Sequence, residues 1–506
     1  MTSSWKDLNQ EAIDHIQSGR LQEALAPALG AVENARRTGE TSNLALTLNN
    51  LGEVHYALGD FKEAESAKGE AAEAYEKALG PDHPVTADAL TNLAELYLDR
   101  KNFDAAAPLL QRALKIREKA KAEDAPDLAT VLGLLAEVHM GRGQLDDARD
   151  TLTRAIGIVE KAEGTMHPAL APLLTRLAQI HQNRQNPEDA EELLRRVVKI
   201  YEKSIGPEHP AFGKALGNLA EVYLTMGQFQ AAEPFLNQAL AILKEAQGET
   251  HPDIANILKK QSMLYLSTGR PEKAEPLMQQ VIDIYTEVFG TEHIATSEAQ
   301  NTLGEYLLDL MRLDDAKPLL EASLATREKS MGPEHPATAQ SLNNLAVLHG
   351  EKGAFDAAEP LHKRALEIRR KYFGEKHPAI TQSLENMAAL LRVMDRADEA
   401  EALLREALDI WQTSMGEKHP ATAQAHFNLG MLLTVSGKHK EAEEALQSSR
   451  KILEATLGPE NPHLATVFEA MARVYEKLEQ KPEATAYAAK AMKIRKSGQK
   501  QNPQNN

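Results

Sequence analysis

The chain of 506 residues contains no cysteine, which excludes disulfides, thiolate zinc sites and a cysteine nucleophile. Tryptophan occurs only twice and aromatic residues make up 5% of the chain, so the fold does not rest on one bulky core. Abundant Ala and Leu instead favour helices packed closely through small side chains. No run of about 18 apolar residues is present, and no membrane span is expected. The segment from Met1 to Gln17 has neither a basic start nor an apolar centre, so no signal peptide is expected and the cytoplasm is the default location.

Positive charge is also in deficit. Lys and Arg total 57 against 74 Asp and Glu, a formal net charge of −17. Grips on nucleic acid and on anionic lipid both need a basic surface, so this balance argues against either partner. Catalytic signatures are missing as well: there is no Gly-x-x-x-x-Gly-Lys-Ser/Thr, no His-Glu-x-x-His and no Gly-x-Ser-x-Gly. Gly141-Arg142-Gly143 lacks the third glycine of a dinucleotide site. The sequence reads as that of a protein that is not an enzyme and needs no cofactor or metal.

What is present is a repeat. His-Pro occurs at His83, His167, His209, His251, His335, His377 and His419, at intervals of 42 or, twice, 84 residues. Ala125-Pro126, Asn461-Pro462 and the proline-free His293-Ile294 complete ten markers on one 42-residue period. Alanine recurs at the same period from Ala64 through Ala106, Ala148 and onward to Ala484, and a second register from Gly52 to Ala472 is always small.

One unit, Pro336 to His377, shows why this period folds as it does. Pro336 suits the first turn of a helix. Leu342, Leu345, Ala346 and His349 form an i, i+3, i+4, i+7 stripe. Gly353 breaks that helix, and a second follows with Phe355, Ala358, Leu361, Ala365, Leu366 and Ile368 on its buried side. Gly374 caps it, as do the glycines of that register from Gly80 to Gly458. The unit is a hairpin of two antiparallel helices. Leu8, Ala12, His15, Gly19, Leu21 and Ala24 repeat the pattern with a 40-residue offset. About twelve hairpins are therefore expected: a capping pair over 1–40, tandem repeats over 41–496 and a disordered polar tail over 497–506. Gln185-Asn186-Pro187 and Leu310-Met311-Arg312-Leu313 lack the turn glycine and are expected to be flexible joints. The marker histidines are expected to cap or pack turns, because copies one repeat apart, about 10 Å, are too distant to share a metal.

Leu342-x-x-Leu345-Ala346-x-x-His349 followed by Ala358 resembles the tetratricopeptide pattern, and Leu216-x-x-Leu219-Ala220-x-x-Tyr223 with Ala232 and Leu236 is a cleaner copy. The stretch from His335 to Pro378 is similar to the long repeats of kinesin light chains and related bacterial proteins. This resemblance covers the chain from Trp5 to Lys496. It implies an all-α, right-handed superhelical solenoid whose first helices line a concave peptide-binding groove. It does not extend to the coiled-coil region through which a kinesin light chain joins its motor.

Helical geometry places Gln340, Asn343, Asn344, Val347 and Glu351 opposite the packed stripe, and the resemblance makes that face the groove. The Asn344 register holds Asn50, Asn92, Asn218, Asn344, Asn386 and Asn428. An asparagine offers a donor and an acceptor to an extended backbone, and the resemblance implies that use. The Val347 register holds Glu53, Glu95, Glu137, Glu221 and Glu305, then Val347, Ala389 and Met431. An acidic half, favouring a basic partner segment, is thus expected to give way to an apolar half. The expected function is a scaffold or adaptor holding an extended protein or peptide segment. The alternatives are self-assembly through imperfectly capped ends, where Trp5, Tyr487 and Met492 lie, and a non-catalytic regulatory or sensor subunit.

Overall fold

The computed structural model of the protein describes residues 4–17, 20–58, 60–120, 126–459 and 461–501. Among these residues are 24 α-helices, one short 3-10 turn at Pro378–Ile380 and no strand. The helices follow one another as repeating pairs, in line with the repeat read from the sequence. No helix among the described residues is long and apolar enough to cross a membrane. The marker copy at Ala125 and the turn residue Gly19 lie outside the described residues.

Each marker histidine starts a first helix in one way. Its Nδ1 accepts the backbone N–H two residues ahead: His209 from Ala211 at 3.1 Å, His335 from Ala337 at 3.1 Å and His419 from Ala421 at 3.2 Å. His293, which lacks the following proline, accepts from Ala295 at 3.2 Å, and Asn461 accepts from His463 at 2.9 Å. Helix N-termini leave backbone donors without intrahelical partners, and a side-chain acceptor satisfies one of them. The histidines are therefore caps, as expected.

The turn inside each hairpin needs one left-handed residue. Gly143, Gly227, Gly269, Gly353 and Gly437 supply it at φ between 69° and 77°. Lys101, Gln185, Met311, Asp395 and Glu479 adopt φ of 55° to 60° at the same place, although a side chain there is strained by about 1 kcal/mol. The copies at Gln185 and Met311 thus keep the regular turn. Small residues set how closely the two helices approach. A Cβ on Gly304 would lie 2.6 Å from Leu320 Cδ2, so the space is already filled.

The chain forms two compact units, Met1–Arg270 and Pro271–Asn506. In the first, ion pairs join the second helices of successive hairpins: Arg112 to Glu76 at 2.7 Å, Arg154 to Glu118 at 2.8 Å and Arg196 to Glu160 at 2.5 Å. In the second, Arg364 meets Glu328 at 2.7 Å, Arg370 meets Glu406 at 2.5 Å and Arg405 meets Glu441 at 2.8 Å. Each such pair is weak alone, but their recurrence lays the second helices side by side.

The last helix, Lys481–Gln501, departs from its register. Ala488 stands where earlier hairpins place Leu194, Leu236, Leu404 and Leu446. Arg495, held by Glu469 at 2.6 Å, stands where Trp411 and Leu453 occur. Small and charged replacements give a solenoid end a polar face. Tyr487 stacks on Tyr475 at 5.3 Å, while Met492 stays exposed. The helix runs five residues past Lys496 into the expected tail; residues 502–506 lie outside the described set.

Candidate functional site

A first helix packs against its own second helix on one flank and against neighbouring hairpins on the others. Only a narrow stripe remains open, represented by Gln340, Asn344, Val347 and Glu351, none of them buried. These positions follow i, i+4, i+7, i+11 spacing, the single face of a helix.

In the first unit the asparagines are half-buried and committed at one end. Asn50 Nδ2 donates to Asn9 Oδ1 at 2.9 Å, Asn92 Nδ2 donates to Asn49 Oδ1 at 3.1 Å, and Asn218 Oδ1 accepts from Lys260 Nζ at 3.5 Å. Each ties one repeat to the next before any ligand arrives. The glutamates are largely neutralised. Buried Lys68 reaches Glu53 at 2.6 Å, Arg176 reaches Glu137 at 2.8 Å and Lys260 reaches Glu221 at 2.7 Å. Arg176 and Lys260 occupy the asparagine register itself, so the two registers answer each other 39 residues apart.

Negative character in this unit therefore concentrates at Glu95 and Asp99. Glu95 is open to solvent, yet lost hydration raises its proton affinity; Lys68 opposes that rise, while Glu53, Asp99 and Glu137 add to it. Tyr56 donates to Asp99 at 2.5 Å, and this bond, with burial behind it, pushes the phenol up to about 12.

In the second unit Asn344 Nδ2 donates to Asn301 Oδ1 at 3.3 Å and its amide also bonds Glu305. Burial raises the Glu305 carboxyl, and the Asn344 bond partly offsets that rise. Asn343 does not belong to the open face, contrary to the sequence reading. It is buried: its Nδ2 donates to Ser383 Oγ at 2.8 Å and its Oδ1 meets His362 Nδ1 at 2.9 Å. One step of about 100° separates it from Asn344, and that step turns it into the packing between hairpins.

Asn386 and Asn428 line a cleft of about 410 Å³ between the helices Thr381–Val393 and Pro420–Val435. Ala389, Met431 and Val435 supply its apolar wall, with Glu385 and Arg392 at the polar rim. The Glu385 carboxyl is raised by burial, which bonds from Asn428 and Trp411 oppose. Asn428 Oδ1 also accepts from Gln424 Nε2 at 2.9 Å. Val435 is 69% exposed, and Val393, one period earlier in the same register, is 57% exposed. Bare β-branched residues side by side on an open helical face gain nothing for helix stability. They offer apolar contact area beside amides that accept or donate to a main chain. Neither Glu385 nor Val435 was singled out in the sequence; the i+4 spacing of Val435 from Met431 and its copy at Val393 carried the signal.

A family model described as tetratricopeptide repeat matches the chain over residues 8–77, 43–119, 127–203, 170–245, 211–287, 253–311, 295–371, 377–455 and 430–497. No curated protein matches it. Among solved structures, BtubC (BKLC) from P. vanneervenii is 25% identical over 47% of this chain and 92% of its own, with a TM-score of 0.39. Nearly identical TPR-like repeats of kinesin-light-chain type from Podosopora anserina are 26% identical over 41% of this chain and 98% of theirs, with a TM-score of 0.36. The apo form of RapI is 14% identical over 56% of this chain and 98% of its own, with a TM-score of 0.45.

Proposed function

Because the chain belongs to the tetratricopeptide repeat family, we propose that it is a protein-interaction scaffold holding an extended partner segment on the open face of its first helices. The principal seat is the cleft of the second unit. There the exposed Val435 and the amides of Asn386 and Asn428 stand together beside a space of about 410 Å³, and this juxtaposition carries the reading. An aliphatic or aromatic partner side chain covers Met431 and Val435, while Asn386 and Asn428 bond the main chain beside it. In the first unit, a basic partner side chain is favoured at Glu95 and Asp99 and disfavoured beside Glu137 and Glu221, which already hold cations.

The reading is tested by capturing partners from native lysate on wild type, on Asn386→Ala/Asn428→Ala and on Val435→Asp, with far-UV circular dichroism matched across all three. A protein retained by wild type and lost by both variants supports the cleft. Equal capture on all three moves binding to another face.

A further inference from the structure

A second surface lies away from the first helices, at the ends of the second ones. The residue before each capping glycine in the second unit is apolar without exception: Phe289, Met331, Phe373, Met415 and Leu457, each 42 residues from the last. In the first unit the same register includes Glu163 and Gln247, so hairpin packing does not demand an apolar residue there. Phe289 is 42% exposed, Met331 40%, Met415 49%, and Tyr372 beside the half-buried Phe373 is 61% exposed. The ion pairs Arg312–Glu275, Arg364–Glu328, Arg370–Glu406 and Arg405–Glu441 set these second helices side by side, so their ends form one ridge.

The charges beside the ridge are ordered. Over the four hairpins that the pairing below uses, the position just before the marker residue reads Glu292, Glu334, Lys376 and Lys418, and Glu460 follows in the fifth. Acid comes first and base second. A two-fold axis between Met331 and Phe373 reverses the ridge onto a copy of itself. It places Met331 on the copy's Phe373 and Phe289 on the copy's Met415, which are favourable sulfur–aromatic contacts. It also brings Glu334 to the copy's Lys376 and Glu292 to the copy's Lys418. A row of knobs at a fixed period is matched most simply by another row of that period.

We propose that this ridge is an isologous self-association surface: two copies of the chain pack their second units antiparallel, ridge against ridge. Large side chains present about 150–250 Å² when fully exposed, so Phe289, Met331, Tyr372, Met415 and Leu457, at 40–61% exposure, offer on the order of 500 Å². Stable interfaces bury about 800 Å² per partner, and the flanking charged side chains supply the difference. The dimer is accordingly weak and concentration-dependent. Glu334 already meets Lys371 at 2.6 Å within its own copy, but both side chains are about two-thirds exposed, and such a pair exchanges partners at little cost.

Sedimentation equilibrium of the full chain at several concentrations tests this. Wild type is expected to show a monomer–dimer equilibrium, and Met331→Asp/Tyr372→Ser is expected to be monomeric with unchanged circular dichroism. Glu334→Lys and Lys376→Glu are each expected to weaken association about tenfold, and the two together to restore it. A monomer at every wild-type concentration overturns the proposal. So does association that survives Met331→Asp/Tyr372→Ser, or a double charge reversal no stronger than the single ones.

Discussion

Arg327 Nη1 lies 3.3 Å from the side-chain oxygen of Gln340, an uncharged partner thirteen residues ahead. Its counterpart five periods earlier, Arg117, pairs with Asp88 and, at 3.2 Å, with Asp127. Arg327 is buried, and lost hydration lowers its affinity for the proton, which the charges of Glu298 and Glu305 oppose. Arg369, one period on, is buried too and bonds Ser383 Oγ at 2.9 Å, again an uncharged group. Gln340 stands in the register of Asp88 relative to Arg369 and bonds Arg327, so one position serves both guanidiniums. Gln340→Glu is therefore expected to stabilise the second unit by about 1 kcal/mol. Thermal unfolding followed by circular dichroism checks this, and the gain should vanish in acid once the new carboxyl is protonated.

His362 gives a second pH effect. It is buried, its Nδ1 donates to Asn343 Oδ1 at 2.9 Å, and burial depresses the imidazole to about 4. The folded value lies below the ordinary 6.5, so the folded chain resists protonation more than the unfolded one. Stability from this group is complete above pH 6.5 and is lost progressively as pH falls toward 4. The full loss is on the order of 3 kcal/mol. His362→Leu, which matches Leu320 and Leu404 in register, should show a shallower decline of melting temperature across that window. An identical decline in wild type and variant would place the acid sensitivity elsewhere.

The left-handed turns make an opposite pair of predictions. Met311 sits at φ 57° and is 59% exposed, so Met311→Gly relieves backbone strain without opening a cavity and should stabilise by about 1 kcal/mol. Gly353→Ala, at φ 73°, should destabilise by a similar amount. Melting temperatures of the two variants should move in opposite directions.

Asn343 and Asn386 share an amide but not a role. Asn343→Ala leaves Ser383 and His362 short of a partner inside the packing and should cost about 1–3 kcal/mol. Asn386→Ala, at the cleft, should change stability by less than about 0.5 kcal/mol. Comparable losses in both would mean that Asn386 is structural.

The fold was legible because one physical requirement recurs at each repeat: a cap at the marker, a small residue where helices touch, and a turn that reverses the chain. His293 shows that the cap lay in the histidine and not in the proline. The turn position was legible through its glycines, yet Gln185 and Met311 adopt it without one, because neighbouring hairpins fix the geometry. The open face was less legible. A single helix wheel cannot separate Asn343 from Asn344, since what distinguishes them is His362 and Ser383 on other helices. The pairing of the acidic stripe was hidden for a related reason. Its cations, Arg176 and Lys260, were visible, but in a register read apart from the glutamates. Reading position i against i+39 joins the two.

The claim that the second unit holds a partner on its first helices is tested most directly by placing a photo-cross-linking residue at Val435 and, separately, at Lys451 on the neighbouring second helix. With a captured partner bound, cross-linking is expected from position 435 and not from 451. Cross-linking from 451 with none from 435 would contradict the account.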